Sequence, residues 1–362
     1  MNKVYLKMNK QVLYSYLLSL LQARLTKLVT YKHIKQALKR NKIHDTLSDI
    51  EGTALGEYLI QCITPESGLD EVEECLWKYL KDEIDMLYGI KLKDLHLIIT
   101  SYITKYDVKN IIHVIRGIIS NTRVQHLIPI GVLAKSGMLE LLCSIENVDD
   151  IIDLLRKANL TIFAGIICDN RHIIESKDYR ALGIIEAKLT KEYLRQLYRN
   201  IKKIRRGGSA LRRAVLIFSD VYNIIHVLRS VALGIDRNVA EEILIENTYK
   251  ISLAVLKDAL SQDTIDRSIQ VLNLTPYHEL AEKIGNALST GMPETLIDVL
   301  TIDWMVKEIH LNLLSHPLSV QVVLDYLLSK EKEVALMRFV YWCISNNIPR
   351  SVVEKLLSIL GG

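Results

Sequence analysis

Proline and glycine are scarce, with 6 Pro and 16 Gly among 362 residues. An all-β chain of this size would need far more turn residues, so the composition points to long helices. Cysteine is sparse as well. Cys62, Cys75, Cys143, Cys168 and Cys343 are scattered, odd in number, and contain no CxxC pair. That pattern argues against a disulfide framework or a zinc site and predicts buried, reduced thiols, as in a cytoplasmic protein. Long apolar runs are missing too. No stretch approaches the ~18 residues needed to span a bilayer, and "TIFAGIIC" is one of the longer ones. The N-terminal "MNKVYLKMNKQVLYSYLLSLLQARLTK" has a short, interrupted apolar block and no small-residue cleavage site, so it reads as an amphipathic first helix rather than a signal peptide. Charge of one sign is not in excess. The 46 basic and 42 acidic residues leave a net charge of +4, too balanced to imply a nucleic-acid or membrane-surface partner.

What is present is an apolar, helical pattern. Hydrophobic residues make up 49% and charged residues 24%, enough to bury a sizeable core. The length allows two or three domains, or one body built from repeats. In the first helix Val12, Tyr16, Ser19, Leu20, Ala23 and Lys27 follow one face, with Leu13, Leu17, Leu21, Leu25 and Leu28 beside it. The stretches 71–90, 184–204 and 319–344 have the same periodicity. A stop at "SNNIPRS" follows the last of them, with a short terminal helix expected from Arg350. "LTIFAGIICD" (160–169) and "RAVLIFSD" (213–220) are apolar runs of ambiguous period, assigned as helix because helices surround them.

One string occurs twice. "YDVKNIIHVIR" (106–116) and "SDVYNIIHVLR" (219–229) share eight of eleven positions. Asp107 to Asp220 and Asn110 to Asn223 are both 113 residues apart, and so are Glu73 and Glu186 in the helices before them. A third step of 113 lands on Glu333 in "KEVALMRFVYWCI", where the acid survives but Leu336 replaces the Asn and Trp342 the Arg. Two independent markers at one offset indicate a threefold repeat of helical units with a diverged last copy. The expected units are 1–125, 126–238 and 239–362.

On a helix, Asp107 and Asn110 share a face, as do Asp220 and Asn223, while His113 and Arg116 lie roughly opposite. The Asp could cap the first turn of its own helix. Two readings of the string compete. In the favoured one, Asp, Asn and Arg are satisfied by neighbouring helices and fix register between units, because buried polar groups need partners. In the other, Asp, His and Arg form a catalytic or metal site, which their divergence around the helix disfavours. No catalytic residue, cofactor or metal is expected.

Other motifs fail on spacing. "GVLAKSG" (131–137) has five residues between its glycines and no following Lys-Ser/Thr, so it is not a phosphate loop. "HELAE" (278–282) lacks the second His of a zinc-protease helix. The segment "RNIKKIRRGGSALRR" (199–213) is the strongly basic patch. Lys202, Lys203, Arg205, Arg206, Arg212 and Arg213 could contact an anionic partner, but a solvated helix end followed by a Gly-Gly turn is the favoured reading. Its equivalent one repeat earlier, 89–100, is much less basic.

These residues resemble a family: the C subunits of archaeal and bacterial V/A-type ATPases, related to the d subunit of the vacuolar ATPase. "YDVKNIIHVIRG" (106–117), its echo at 219–229, the acid-x-x-Leu helices before them, and "LDYLLSKEKEVALMR" (324–338) carry the resemblance in order along nearly the whole chain. Tyr326, Leu327, Lys330, Glu331, Glu333 and Arg338 match the family's ending. Leu336 departs from its usual Asn, and Thr190 stands where Asp is frequent. The resemblance implies a funnel of three similar helical bundles around a central opening. It also implies a non-catalytic central-stalk rotor component of a proton- or sodium-translocating ATPase or ATP synthase. Its implied partners are the D and F subunits of the central shaft and the membrane proteolipid ring, with no nucleic acid. Its implied place is the cytoplasmic face of the membrane. The motif residues Asp107, Asn110, Arg116, Asp220, Asn223, Arg229, Glu333 and Arg338 are then structural. A helical repeat scaffold, a nucleic-acid-binding protein using 199–213, and a helical enzyme are the alternatives.

Overall fold

The computed structural model describes residues 10–177, 179–204, 208–314, 320–349, 351–354 and 359. The chain is all-α, with no strand among the described residues. Short helices come first: α1 (Lys10–Leu25), α2 (Tyr31–Ala37), a 3-10 turn at His44–Asp49, and α3 (Ala54–Cys62). A long pair follows, α4 (Leu69–Tyr88) and α5 (Lys93–Ser120). Short helices return as α6 (Val132–Lys135), α7 (Leu139–Cys143), α8 (Val148–Lys157), α9 (Thr161–Asp169) and α10 (Arg171–Glu175). The second long pair is α11 (Tyr179–Ile201) and α12 (Gly208–Leu233). Then come α13 (Arg237–Ile243), α14 (Leu253–Leu260), α15 (Ile265–Leu272) and α16 (His278–Ser289), and a third long pair, α17 (Glu294–Leu314) and α18 (Val322–Ser345). Both ambiguous apolar runs are helical, in α9 and α12. Of the expected terminal helix, residues 351–354 are helical, and Arg350 lies outside the described residues.

The second long helix of each pair stops in the same way. Asn121, Gly234 and Asn347 all adopt positive φ, at 54°, 62° and 50°. After each, an amide reaches back five residues: Thr122 to the Gly117 carbonyl at 2.9 Å, Ile235 to Ser230 at 2.9 Å, and Ile348 to Cys343 at 3.0 Å. This is the left-handed C-cap that Gly and Asn tolerate best. The three stops lie at intervals of 113 residues, the same offset that separates the marker residues in the sequence.

The chain divides into two compact units. One comprises residues 1–96, 204–214 and 291–362; the other comprises 97–203 and 215–290. In the first, α18 packs against α17, α4, α1 and α2. Nineteen of its 24 residues are buried, which makes it the central helix of that unit. In the second unit α11 lies on α5, with the Tyr193 hydroxyl donating to the Tyr102 carbonyl at 3.3 Å and Asn200 to the Ser101 hydroxyl at 3.1 Å. Its short helices are amphipathic. In α8, Val148, Ile151, Ile152, Leu154 and Leu155 are buried, Asn147 caps the start, and Asp149 and Asp150 sit in the first turn where the helix dipole favours them.

Three sequence expectations need correction. In α1 the buried side chains are Leu17 and Leu21, one turn apart, while Val12 and Tyr16 are 50% and 54% exposed. The stripe is wide enough for either face to read as apolar, and packing on α18 selects the leucines. Cys62 and Cys75 are not reduced thiols but a disulfide, with Cα atoms 6.2 Å apart. The short connection after α3 brings its last residue beside the second turn of α4, within the reach of a disulfide. Finally, α12 is long and apolar enough by composition to span a membrane, although 72% of its apolar window is buried within the protein.

Burial of one α1 face predicts that Leu21→Ala lowers stability by about 2–5 kcal/mol. Tyr16→Ala is expected to change it by no more than about 0.5 kcal/mol. Urea unfolding of both variants checks the assignment, and equal losses would reject it.

Candidate functional site

The repeated string builds two clamps of identical design. Asp107 and Asn110 lie in the interior of α5, and both are buried. Asn110 pairs with one residue of the outgoing loop at both of its backbone groups. Its Nδ2 donates to the Ile128 carbonyl at 2.9 Å, and its Oδ1 accepts the Ile128 amide at 2.9 Å. One turn earlier on the helix, the Asp107 carboxylate accepts the amides of Val132 and Leu133 at 2.7 and 2.9 Å. In α12, Asn223 holds Ile245 by the same pair of bonds, at 3.0 and 2.8 Å. Asp220 accepts the amides of Tyr249 and Lys250 at 2.9 and 2.7 Å. The segment from the Asn to its partner is four residues longer in the second copy, where it includes α13, yet the spacing of the clamped positions is kept. Asn takes one residue, and Asp takes the amides four and five residues further on.

The aspartates therefore do not cap their own helices. Asp107 caps α6 from a distance, taking the free amides at its start. Asp220 holds the chain that leads into α14 and also accepts the Tyr277 hydroxyl at 2.7 Å. The Asn side chains are satisfied by their own outgoing loop rather than by neighbouring helices. Gly131 makes the first clamp possible. Its φ is +127°, and a Cβ there would lie 2.3 Å from Asp107 Oδ1. The glycine turn that failed as a phosphate loop thus does cradle an anion, the protein's own carboxylate.

The third acid clamps a different segment. Glu333, buried in α18, accepts the Val29 amide at 2.7 Å, just ahead of α2. Its other oxygen accepts the Tyr79 hydroxyl at 3.3 Å and the Lys330 ammonium at 3.0 Å. Lys330 has no exposed surface and also donates to the Tyr79 oxygen at 2.7 Å. Glu83 extends the network, accepting the Tyr326 hydroxyl and the Arg24 guanidinium, the latter at 2.7 Å. Two acids and two bases balance in charge, which is how buried ions are tolerated. Arg338 sits on the same helix and donates to Glu73 at 3.1 and 3.4 Å, over the Trp77 ring. It joins one repeat marker, Glu73, to the family-like ending.

Electrostatics follow burial. The Asp107 carboxyl is pushed up to about 7 by burial, against the pull of its two amides. Asp220 moves in the same direction for the same reason, opposed by more hydrogen bonds. Glu333 is likewise raised by burial, with Lys330 opposing. The two histidines differ: His113 is exposed, whereas His226 is half-buried with Nε2 2.9 Å from the Ala240 carbonyl, and burial lowers its pKa. Arg116 is exposed and Arg229 half-buried, while Asp and Asn supply the clamp bonds described above. In the basic segment Lys202 lies over the Tyr198 ring, Lys203 donates to Asn200, and Arg212 and Arg213 are half-buried in the first turns of α12. Arg205 and Arg206 lie outside the described residues. Among the described residues no His/Cys/Asp/Glu group is arranged to hold a metal.

Sequence reasoning missed the clamps' targets, because a backbone amide has no sequence signature. It also missed Glu83, Tyr79 and Tyr277. Lys330, three residues before Glu333, was the one signal available, since that spacing puts both on one helix face.

The family described as ATP synthase (C/AC39) subunit matches residues 17–356. The C subunits of several A-type ATP synthases are similar along most of the chain. That of Methanocaldococcus jannaschii is 24% identical, over 96% of this chain and 86% of its own. That of Pyrococcus abyssi is 20% identical, over 96% and 90%. That of Thermococcus kodakarensis is 21% identical, over 98% and 93%.

The clamps make two predictions. Asn223→Leu strands both backbone groups of Ile245 in a buried setting, which costs about 2–5 kcal/mol in urea unfolding. A loss below about 0.5 kcal/mol would mean that the clamp contributes nothing. The second concerns pH. An unfolded aspartate loses its proton near pH 4, and native Asp107 near 7. Between these values the native state binds more protons, so this stabilisation is complete below pH 4 and is lost as pH rises through 7. Stability of Asp107→Asn, followed from pH 4 to 8, is expected to fall less steeply than that of the parent.

Proposed function

The chain belongs to the ATP synthase (C/AC39) subunit family, and on that premise we propose that it is a non-catalytic rotor component of a V/A-type ATPase or ATP synthase. In this reading three similar helical units, with boundaries near residues 125 and 238, surround a central opening. The opening receives the end of the shaft formed by the D and F subunits. The opposite side rests on the membrane proteolipid ring, and the protein lies peripheral to the membrane on its cytoplasmic side. Torque passes between shaft and ring, while ATP chemistry belongs to other parts of the complex.

The single observation that carries the threefold part is the recurrence at 113 residues of a left-handed helix stop in all three copies. The acid clamps support it, since Asp107, Asp220 and Glu333 each grip backbone amides near the start of a short helix. Rigidity supports the mechanical part. Helices packed at interior density transmit strain, and a polar clamp costs heavily to break once water is excluded. The Asp, Asn and Glu residues of the string then hold units together and do no chemistry. The alternative, a repeat scaffold for unrelated proteins, shares the fold but not the partners.

Copurification of the tagged chain with the D and F shaft subunits separates these readings, and its failure in an assembled complex would count against the rotor. Within the complex, Asn110→Leu combined with Asn223→Leu is expected to leave ATP hydrolysis within about twofold of the parent. Ion pumping per ATP should fall several-fold, because a softened body dissipates torque as strain. Unchanged pumping in a fully assembled double variant would reject the coupling role.

A further inference from the structure

We propose that Cys62 and Cys75 form a reversible dithiol–disulfide site that sets how firmly α3 is fixed to α4. This inference is independent of the rotor reading and adds a modification site to it. Cys62 is the last residue of α3 and is half-exposed, whereas Cys75 is 6% exposed within α4. An incoming thiolate therefore has access to one sulfur, and attack on Cys62 releases Cys75 as the leaving thiol. Cys343, the other cysteine of this unit, is buried.

What the bond holds is the carboxyl end of a short helix whose buried anchors, Leu55 and Leu59, lie further back along it. α3 has nine residues. That is below the roughly 12–15 residues at which an isolated helix becomes even marginal in water, so its order depends on tertiary ties. Towards α4 those ties include the Tyr58 hydroxyl on Asp82 at 3.2 Å and the edge-on contact of Tyr58 with Tyr79 at 5.4 Å. Both act at mid-helix; the disulfide pins the carboxyl end. One side of α3 forms a wall of an open cleft of about 550 Å³, where Glu57, Tyr58 and Gln61 face Arg24, Asp82 and Glu83. Gln61 is the residue before Cys62. Reduction frees that end of the wall, and oxidation fixes the width of the cleft.

The chemistry balances with a small disulfide as oxidant. The two thiols lose two protons and two electrons, the Cys62–Cys75 bond forms, and one oxidised glutathione becomes two glutathione thiols. Reduction runs in reverse through a mixed disulfide on Cys62.

The test uses the full chain, equilibrated in glutathione buffers from fully reduced to fully oxidised, acid-quenched, alkylated and read by peptide mass. A transition from two alkylated thiols to one disulfide, with its midpoint inside the series, is expected. Hydrogen exchange of residues 54–62 should be about tenfold faster in the reduced state, with α18 unchanged, since local opening reports local stability. Cys62→Ser and Cys75→Ser should each reproduce the reduced exchange pattern in oxidising buffer, and Cys168→Ser should leave the transition in place. A pair that stays reduced throughout, a disulfide that survives the most reducing buffer as a permanent staple, or equal exchange in both states would each overturn the proposal.

Discussion

The fold depends on a buried acid that grips backbone amides from a distance. A short helix begins with amides that have no partner inside the helix. Packing that start against a long apolar helix would bury those amides unpaired, at a cost of about 1–3 kcal/mol each. Asp107 removes that cost at the start of α6 with a carboxylate from the middle of α5, and Asp220, from the middle of α12, meets two backbone amides in the segment ahead of α14 in the same way. The long helices can therefore be apolar nearly all round and still receive an irregular loop on their surface. Asn110 and Asn223 complete the arrangement, matching the donor and acceptor of one loop residue with the donor and acceptor of one side-chain amide. An apolar residue cannot do this, and neither can a charged one.

The acids contribute order at an electrostatic cost. A carboxylate with almost no exposed surface has lost its hydration, which is why burial pushes Asp107 and Asp220 upward. Two or three short hydrogen bonds offset that loss without cancelling it. In α18 the solution differs, because a buried cation stands beside the acid: Lys330 meets Glu333 and Tyr79, and Arg24 meets Glu83 at the margin. Such a network adds little net stability over apolar packing, but breaking one member leaves an uncompensated charge. It specifies one arrangement of α1, α4 and α18 and penalises the others.

Much of this architecture is legible in the sequence, for physical reasons. Helices leave a period of 3.6, and a duplicated unit leaves an offset, so the all-α class and the 113-residue repeat can be read without coordinates. The polar residues in the string also mark themselves, since Asp and Asn in an apolar helix need partners. Their partners do not, because the amides of Val132 or Tyr249 belong to the backbone and any residue offers one. The Asn, Gly and Asn that stop α5, α12 and α18 are visible only once φ is known. In α1 two apolar faces compete within one wide stripe, and only the neighbour decides that Leu17 and Leu21 go inside. The disulfide escaped because its cysteines stand 13 apart, a spacing that carries no signature of its own.

The third clamp differs from the others in chain order, and that difference has a consequence for folding. In α5 and α12 the helix grips a loop that leaves its own C-terminal end, 18 to 30 residues on. Such contacts close early and cost little loop entropy. Glu333 instead reaches Val29, across 304 residues. The first unit in space is accordingly made of segments far apart in sequence, with α18 as its central helix. Contacts of that separation form slowly. Without α18 the Val29 amide lacks its acceptor and Tyr79 its partners Lys330 and Glu333, while Glu83 keeps Arg24 and loses the Tyr326 hydroxyl. The same closure then confers an advantage in the proposed mechanical role. A repeat whose last acid is seated on its first segment cannot loosen at one end without breaking a buried ionic network, so load on either end is shared by the core of that unit.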